Sequence, residues 1–277
     1  GKNSEIGESI VKSTRLAINK INNLSIEIIP RDTASNAQIT LEAAKELSGL
    51  GVKIVIGPVF NKNLIYLDEL STLTFLSLTN KSSNNSRNII NAGINATSQL
   101  NAIKKFIDLK KIEKTIFLTP DLNYKNEIEQ AISFSKIKLI KNYSYNTDPT
   151  KLTEKIEIIT NYKERKQNLE DEIKRLEDSD ESGKEQLIET LKKKDTLGDV
   201  KFDSIIIADF DQSLKSVTTS LLYTDISPKK KYFITLNQWF DESLLKETSS
   251  QQLYFPSINK KNYDDFSSEY FEKYNQY

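Results

Sequence analysis

The sequence predicts an α/β protein of two doubly wound parallel-sheet lobes around a cleft. Short apolar runs rich in β-branched residues alternate with segments whose apolar residues recur at helical spacing. The runs are continuously apolar, as strands covered on both faces must be. Their number exceeds one ordinary sheet, and 277 residues are enough for two domains.

The elements follow in order. Ile6, Ile10, Leu16, Ala17 and Ile21 give a first helix over 6–21. Ser25–Pro30 reads as a short strand stopped by its proline. Asn36–Leu47 is helical, closed by Gly49-Leu50-Gly51, and Val52–Ile56 is a β-branched strand closed by Gly57-Pro58. A helix over Asn61–Leu70, strands over 74–78 and 88–94, and a helix over 99–109 complete the first series. The second series has strands at 115–118, 137–140, 202–208, 232–236 and 253–255, with helices over 126–134, 212–223 and 263–274. The change of lobe falls near Ile112. Residues 1–112 form the N-terminal lobe, joined by about 257–277, and residues 113–256 form the C-terminal lobe.

One stretch breaks the alternation. From Thr150 to Lys194 there is no strand candidate, and Leu152, Ile156, Ile159 and Tyr162 step by four and three. Leu169, Ile173 and Leu176 repeat that step before the turn Asp178–Gly183, and Leu187, Ile188 and Leu191 follow it. This predicts an inserted helical hairpin over about 150–195 with a thin apolar seam. An arm of ~14 residues reaches ~20 Å at the helical rise. It reads either as a projecting interaction arm or as a spacer packed on its own lobe.

Composition removes several functions. Lys+Arg and Asp+Glu number 39 each, so there is no basic surplus to neutralise nucleic-acid phosphates. Lys192-Lys193-Lys194 and Lys229-Lys230-Lys231 read as solvation of a helix end and of the start of a strand. His and Cys are absent, which excludes thiol nucleophiles, histidine bases, triads built on them and the common zinc sites. No catalytic residue, metal or cofactor is expected. No stretch approaches the ~20 apolar residues of a membrane span. Met is absent as well, and the chain reads as a processed or trimmed form.

Motifs add little chemistry. Gly49-Leu50-Gly51 precedes a strand, the reverse of the order a dinucleotide fingerprint needs. Asp209 and Asp211 lie at a strand's carboxyl end, where a cap is the commoner role for Asp. The strand ends give a more coherent set. Phe60 and Asn61 follow one strand, and Thr79, Asn80 and Lys81 the next. Asp121 and Tyr124 follow the first strand of the second lobe, and Asn237 and Trp239 a later one. In open parallel sheets these ends face the ligand crevice, and aromatic, amide and hydroxyl groups suit a small polar ligand. The same residues also read as loop groups satisfying backbone, with Trp239 as packing.

Ile29-Pro30-Arg31-Asp32-Thr33, the helix ending in Leu50-Gly51-Val52, and Ile54-Val55-Ile56-Gly57-Pro58 resemble the type I periplasmic binding fold of branched-chain amino-acid-binding proteins. Thr119-Pro120-Asp121-Leu122-Asn123-Tyr124 resembles the turn opening that family's second lobe. Asp195-Thr196-Leu197-Gly198 leading into Phe202–Ile207 resembles a narrower branch, the penicillin-binding protein activators. The likeness covers nearly the whole chain. The family's first strand and last helices have no counterpart, so the chain reads as truncated at both ends. Where amino-acid binders place a Ser/Thr-rich carboxylate clamp, this chain has Val59-Phe60-Asn61-Lys62. The resemblance implies a non-enzymatic periplasmic accessory protein for cell-wall synthesis, in the manner of an outer-membrane-anchored lipoprotein. It would act through contact with a cell-wall synthase. The alternative it implies is a solute-binding protein serving a transporter permease, with a small polar ligand such as an amino acid.

Overall fold

The apolar runs become parallel strands in two separate sheets. The computed structural model describes residues 3–21, 25–81, 86–238, 246 and 252–276. They fall into two compact units, residues 1–96 with 258–277, and residues 97–257. The helix over 96–110, which the sequence reading puts in the N-terminal lobe, clusters with the second unit.

In the first unit β1 (Ile54–Ile56), β2 (Thr74–Ser77) and β3 (Ile89–Asn91) form a parallel sheet in that order. Its core packs Phe75, Val55 and Ile89 against Leu64, Leu67, Leu73 and Ala44. Ala44 comes from α2 (Ala37–Gly49), whose first turn is capped by the Asn36 side chain accepting from Gln38 N and Ile39 N. α1 (Ser4–Asn19) meets the last helix, α9 (Lys260–Tyr274): Tyr274 Oη donates to Lys12 O at 3.1 Å, and Lys20 pairs with Glu269 at 2.5 Å.

Two expectations fail here. Ser25–Pro30 is not a strand. Its apolar pattern is adequate, but a strand exists only with a ladder partner, and among the described residues β1 pairs with β2 alone. Asn61–Leu70 is a 3-10 turn, Asn61–Leu64, followed by further turns. Leu64, Leu67, Leu70 and Leu73 recur every three residues, the 3-10 period, and bonds such as Leu67 N to Leu64 O follow that pattern.

The second unit carries a five-stranded parallel sheet. Its strands are β4 (Thr115–Pro120), β5 (Lys141–Tyr145), β6 (Ser204–Ile207), β7 (Tyr232–Thr235) and β8 (Leu253–Tyr254), ordered β5-β4-β6-β7-β8. Ile116, Leu118, Ile205 and Ile207 face a core shared with α5 (Pro149–Ile159) and α8 (Asp211–Tyr223). Phe117 and Ile206, alternating with them, are equally buried on the opposite face. Phe106 of α3 (Ala96–Lys110) stacks on Tyr254 at 4.9 Å and meets Tyr232 edge-on at 6.0 Å. α4 (Lys125–Ser135) links β4 to β5.

The strand expected at 137–140 lies at 141–145 instead. β5 is an edge strand, so its pattern alternates (Tyr143 and Tyr145 among polar residues) rather than running apolar. The hairpin is also shorter than expected. α5 is part of the sheet's cover, with Leu152 and Ile156 in the main core. Only α6 (Tyr162–Glu177) and α7 (Lys184–Leu191) form the hairpin, joined at its tip by Arg175 bonding Glu181 at 2.6 Å.

Candidate functional site

The chain leaves β4 for β5 on one side and returns through β6 on the other. The strand order therefore reverses between β4 and β6, and the carboxyl ends there are the usual seat of a ligand. Asp209, just past β6, sits at this point and is only 2 % exposed. Tyr145 at the end of β5 donates its hydroxyl to Asp209 Oδ2 at 2.5 Å, and Ser213 Oγ donates to the same oxygen at 2.6 Å. Phe210 N and Tyr124 Oη donate to Oδ1 at 2.9 Å and 3.4 Å. Gln238 Nε2 donates to the Asp209 carbonyl at 3.2 Å. Three donors at 2.5–2.9 Å and the longer Tyr124 contact thus occupy both carboxylate oxygens from within the protein.

The electrostatics agree with the geometry. Burial, then the charge of Asp209, then the hydrogen bond to it push both tyrosines far above the ordinary phenol range. They stay protonated donors at every physiological pH. Asp211 does not complete a carboxylate pair, because it is exposed and lies in the left-handed region at φ 49°.

Around this hub the sequence-predicted residues divide. Tyr124 reaches Asp209 directly and meets Phe210 edge-on at 6.2 Å. Asp121 is exposed, bonded to Lys125 at 3.0 Å, and its N–H donates to Tyr145 O at 2.8 Å. Asn237 is buried, its N–H donating to Gln99 Oε1 at 2.8 Å. Trp239 lies outside the described residues.

The other five candidates occupy the carboxyl edge of the first sheet. Thr79 is buried, and its Oγ1 accepts from Lys81 N at 3.2 Å. Asn91 Nδ2 donates to Lys81 O at 2.8 Å, so the Lys81 backbone is held at both its N–H and its carbonyl. Gly93 packs against it: a Cβ there would lie 2.0 Å from Thr79 O, a distance no side chain tolerates. Asn80 and Lys81 are exposed. Phe60 is half-buried and Asn61 exposed, where the Phe60 carbonyl accepts from Asn63 N at 2.9 Å.

Sequence reasoning missed Tyr145, Ser213 and Arg165. Arg165 is 6 % exposed on the most polar helix. Its guanidinium donates to Gly198 O (3.2 Å), Thr224 O (3.1 Å), Thr160 O (3.5 Å) and Thr196 Oγ1 (2.6 Å). Burial lowers its pKa, while Asp225 and Asp199 raise it. Arg165 thereby fastens both ends of the hairpin to the body. Among the described residues no three His, Cys, Asp or Glu side chains gather to hold a metal, and no helix is long and apolar enough to cross a membrane.

No family model and no curated protein matches the chain. Solved structures do. The C-domain of LpoA from Haemophilus influenzae, described as a regulator of PBP1A, aligns at TM-score 0.63 and 12 % identity over 97 % of this chain and 75 % of that one. The chain spans 44 % of full-length LpoA. A branched-chain amino acid ABC transporter periplasmic ligand-binding protein from Burkholderia xenovorans aligns at 0.58 and 10 % identity, over 100 % and 70 %. An ABC transporter substrate-binding protein from Desulfitobacterium hafniense aligns at 0.53 and 14 %, over 100 % and 74 %. These similar structures are binding and regulatory proteins. With its parallel sheets and their strand order, the chain has the type I periplasmic binding protein fold.

Proposed function

We propose that this chain is a non-enzymatic periplasmic accessory protein that acts on a cell-wall synthase by direct contact, as LpoA's description as a PBP1A regulator suggests for its own fold. The saturation of Asp209 carries this reading. A solute-binding protein needs free, convergent polar groups at the strand ends, and here the buried carboxylate at the switch point is closed by four donors. The α6–α7 hairpin is the proposed contact element. Replacing residues 170–190 by a short turn keeps Arg165 and should abolish synthase binding while leaving the fold intact. Unchanged binding would remove the hairpin from the reading.

The rival reading is a solute-binding protein for a small polar ligand. Exposed Asn80 and Lys81 after β2 favour it, as polar groups open to a solute, and so does exposed Asp121 after β4, whose one side-chain partner is the surface residue Lys125. In that case Phe60, Asn61, Thr79, Asn80, Lys81, Asp121, Tyr124, Asn237 and Trp239 are its proposed contacts. A thermal-shift screen with amino acids and peptidoglycan fragments separates the two. A true solute at 100 times its Kd adds about 2.7 kcal/mol of stability. No shift with any amino acid is the outcome expected here.

A further inference from the structure

The two lysine runs of the sequence meet at one cavity. It encloses about 640 Å³ at the root of the hairpin, and Lys193, Lys194, Lys230 and Lys231 contribute to its wall together with buried Arg165. Asp195, Asp199 and Asp225 share that wall, so cations outnumber carboxylates by two. Two of the acids are already neutralised. Lys231 bonds Asp199 at 2.9 Å, and Asp225 accepts from Thr196 Oγ1 at 2.7 Å beside Arg165 at 3.7 Å. Lys193 reaches Glu189 at 3.2 Å with both side chains exposed. Lys194 and Lys230 have no ion pair among the described residues.

These cations sit on fixed backbone. Lys194 N donates to Leu191 O at 2.9 Å, Leu197 N to Arg165 O at 2.9 Å, and both Lys230 N and Lys231 N to Ser227 O at 3.0 Å. Two segments distant in the chain are therefore held with their charges facing one space. Like charges gathered this way repel, and an anion between them relieves the repulsion.

We propose that this cavity binds a phosphate-class oxyanion, free or carried on a polymer. The donor chemistry selects the class. The planar arginine fork, which would hold a carboxylate or a phosphate bidentately, is spent at Arg165 on four protein oxygens, whereas lysine ammoniums bind phosphate as point charges. What remains is a set of lysine point charges, four against the three aspartates of the wall with two of those acids already paired, which suits a phosphate-class anion without demanding a plane. The volume admits a diphosphate or a phosphodiester unit, not only a single phosphate.

The test is calorimetric titration of the full chain at low salt with inorganic pyrophosphate, with a short polyglycerol phosphate and with citrate. It is repeated on the K194Q/K230Q double variant. Both positions are exposed, and circular dichroism checks that the variant folds. Saturable binding of at least one phosphate probe is expected, weakened about tenfold or more in the variant. Tighter binding of pyrophosphate assigns a free ligand, and tighter binding of the oligomer a polymer-borne one. Absence of saturable binding to both probes, equal affinity in the variant, or citrate binding as tightly as phosphate would overturn the proposal.

Discussion

Every residue of β4 and of β6 in the second unit is buried, whereas β1 in the first leaves Ile54 63 % and Ile56 47 % exposed. Register places Ile56 beside Leu76 and Leu76 beside Ile90, itself 51 % exposed. One face of the small sheet is thus an apolar row only loosely met by α1, where Ile6 and Ile10 line a groove of about 600 Å³ with Ile56 and Leu78. The opposite face, through Phe75 and Val55, is closed. The same kind of sequence, a short β-branched run, gives a sheet core in one unit and half of one in the other. The difference lies in what covers the strand rather than in the strand.

The sharpest break of this comparison is a pair of truncations. Phe117→Ala in the larger sheet should cost about 3–5 kcal/mol, since it empties a fully buried site. Ile56→Ala in the smaller one should cost about 1 kcal/mol or less, because half of that side chain is already in water. Urea midpoints measure both, and equal losses would mean that Ile56 is covered in solution.

Next comes Asp209→Ala, expected to cost about 2–4 kcal/mol by leaving the Tyr145 and Ser213 hydroxyls without their acceptor. A loss below ~1 kcal/mol would show that the carboxyl edge of the second sheet is open to water. In the first unit the corresponding test is Gly93→Ala, which should cost about 1–3 kcal/mol by driving the β3 end off the Thr79 carbonyl. A neutral result would mean that the Thr79–Lys81 loop yields freely, as a ligand-gripping loop would.

How far the sequence reaches is visible in these same residues. β4 and β6 are legible because double-sided burial demands an unbroken apolar run. β5 is displaced by four residues in the sequence reading because an edge strand keeps one side wet, and its signal is only the alternation of Tyr143 with Tyr145. Asp209 stands out by position, yet its meaning depends on partners from β5, the turn before α4, and α8, and pairings across such distances leave no local mark. Arg165 is less legible still. Its helix looks solvated throughout, and only the convergence of Thr196, Gly198 and Thr224 makes a guanidinium the right group to bury.

The mildest prediction concerns alkaline pH and the closed edge of the second sheet. Tyr145 and Tyr124 hold their protons well above the phenol value of 10.0 that applies once the chain unfolds. Below pH ~10 both states are protonated and the two residues lend no pH dependence. Above it the unfolded chain releases these protons while the folded chain keeps them, so the folded state loses relative stability as pH rises. Urea midpoints should therefore be flat from these groups up to pH ~10 and decline beyond it. The double variant Y124F/Y145F should decline less steeply, by up to two protons' worth of slope, although it starts about 1–2 kcal/mol lower for want of two donors to Asp209. An unchanged slope would place both phenols in water and reopen Asp209 as a ligand group, bringing the solute-binding reading back to the front.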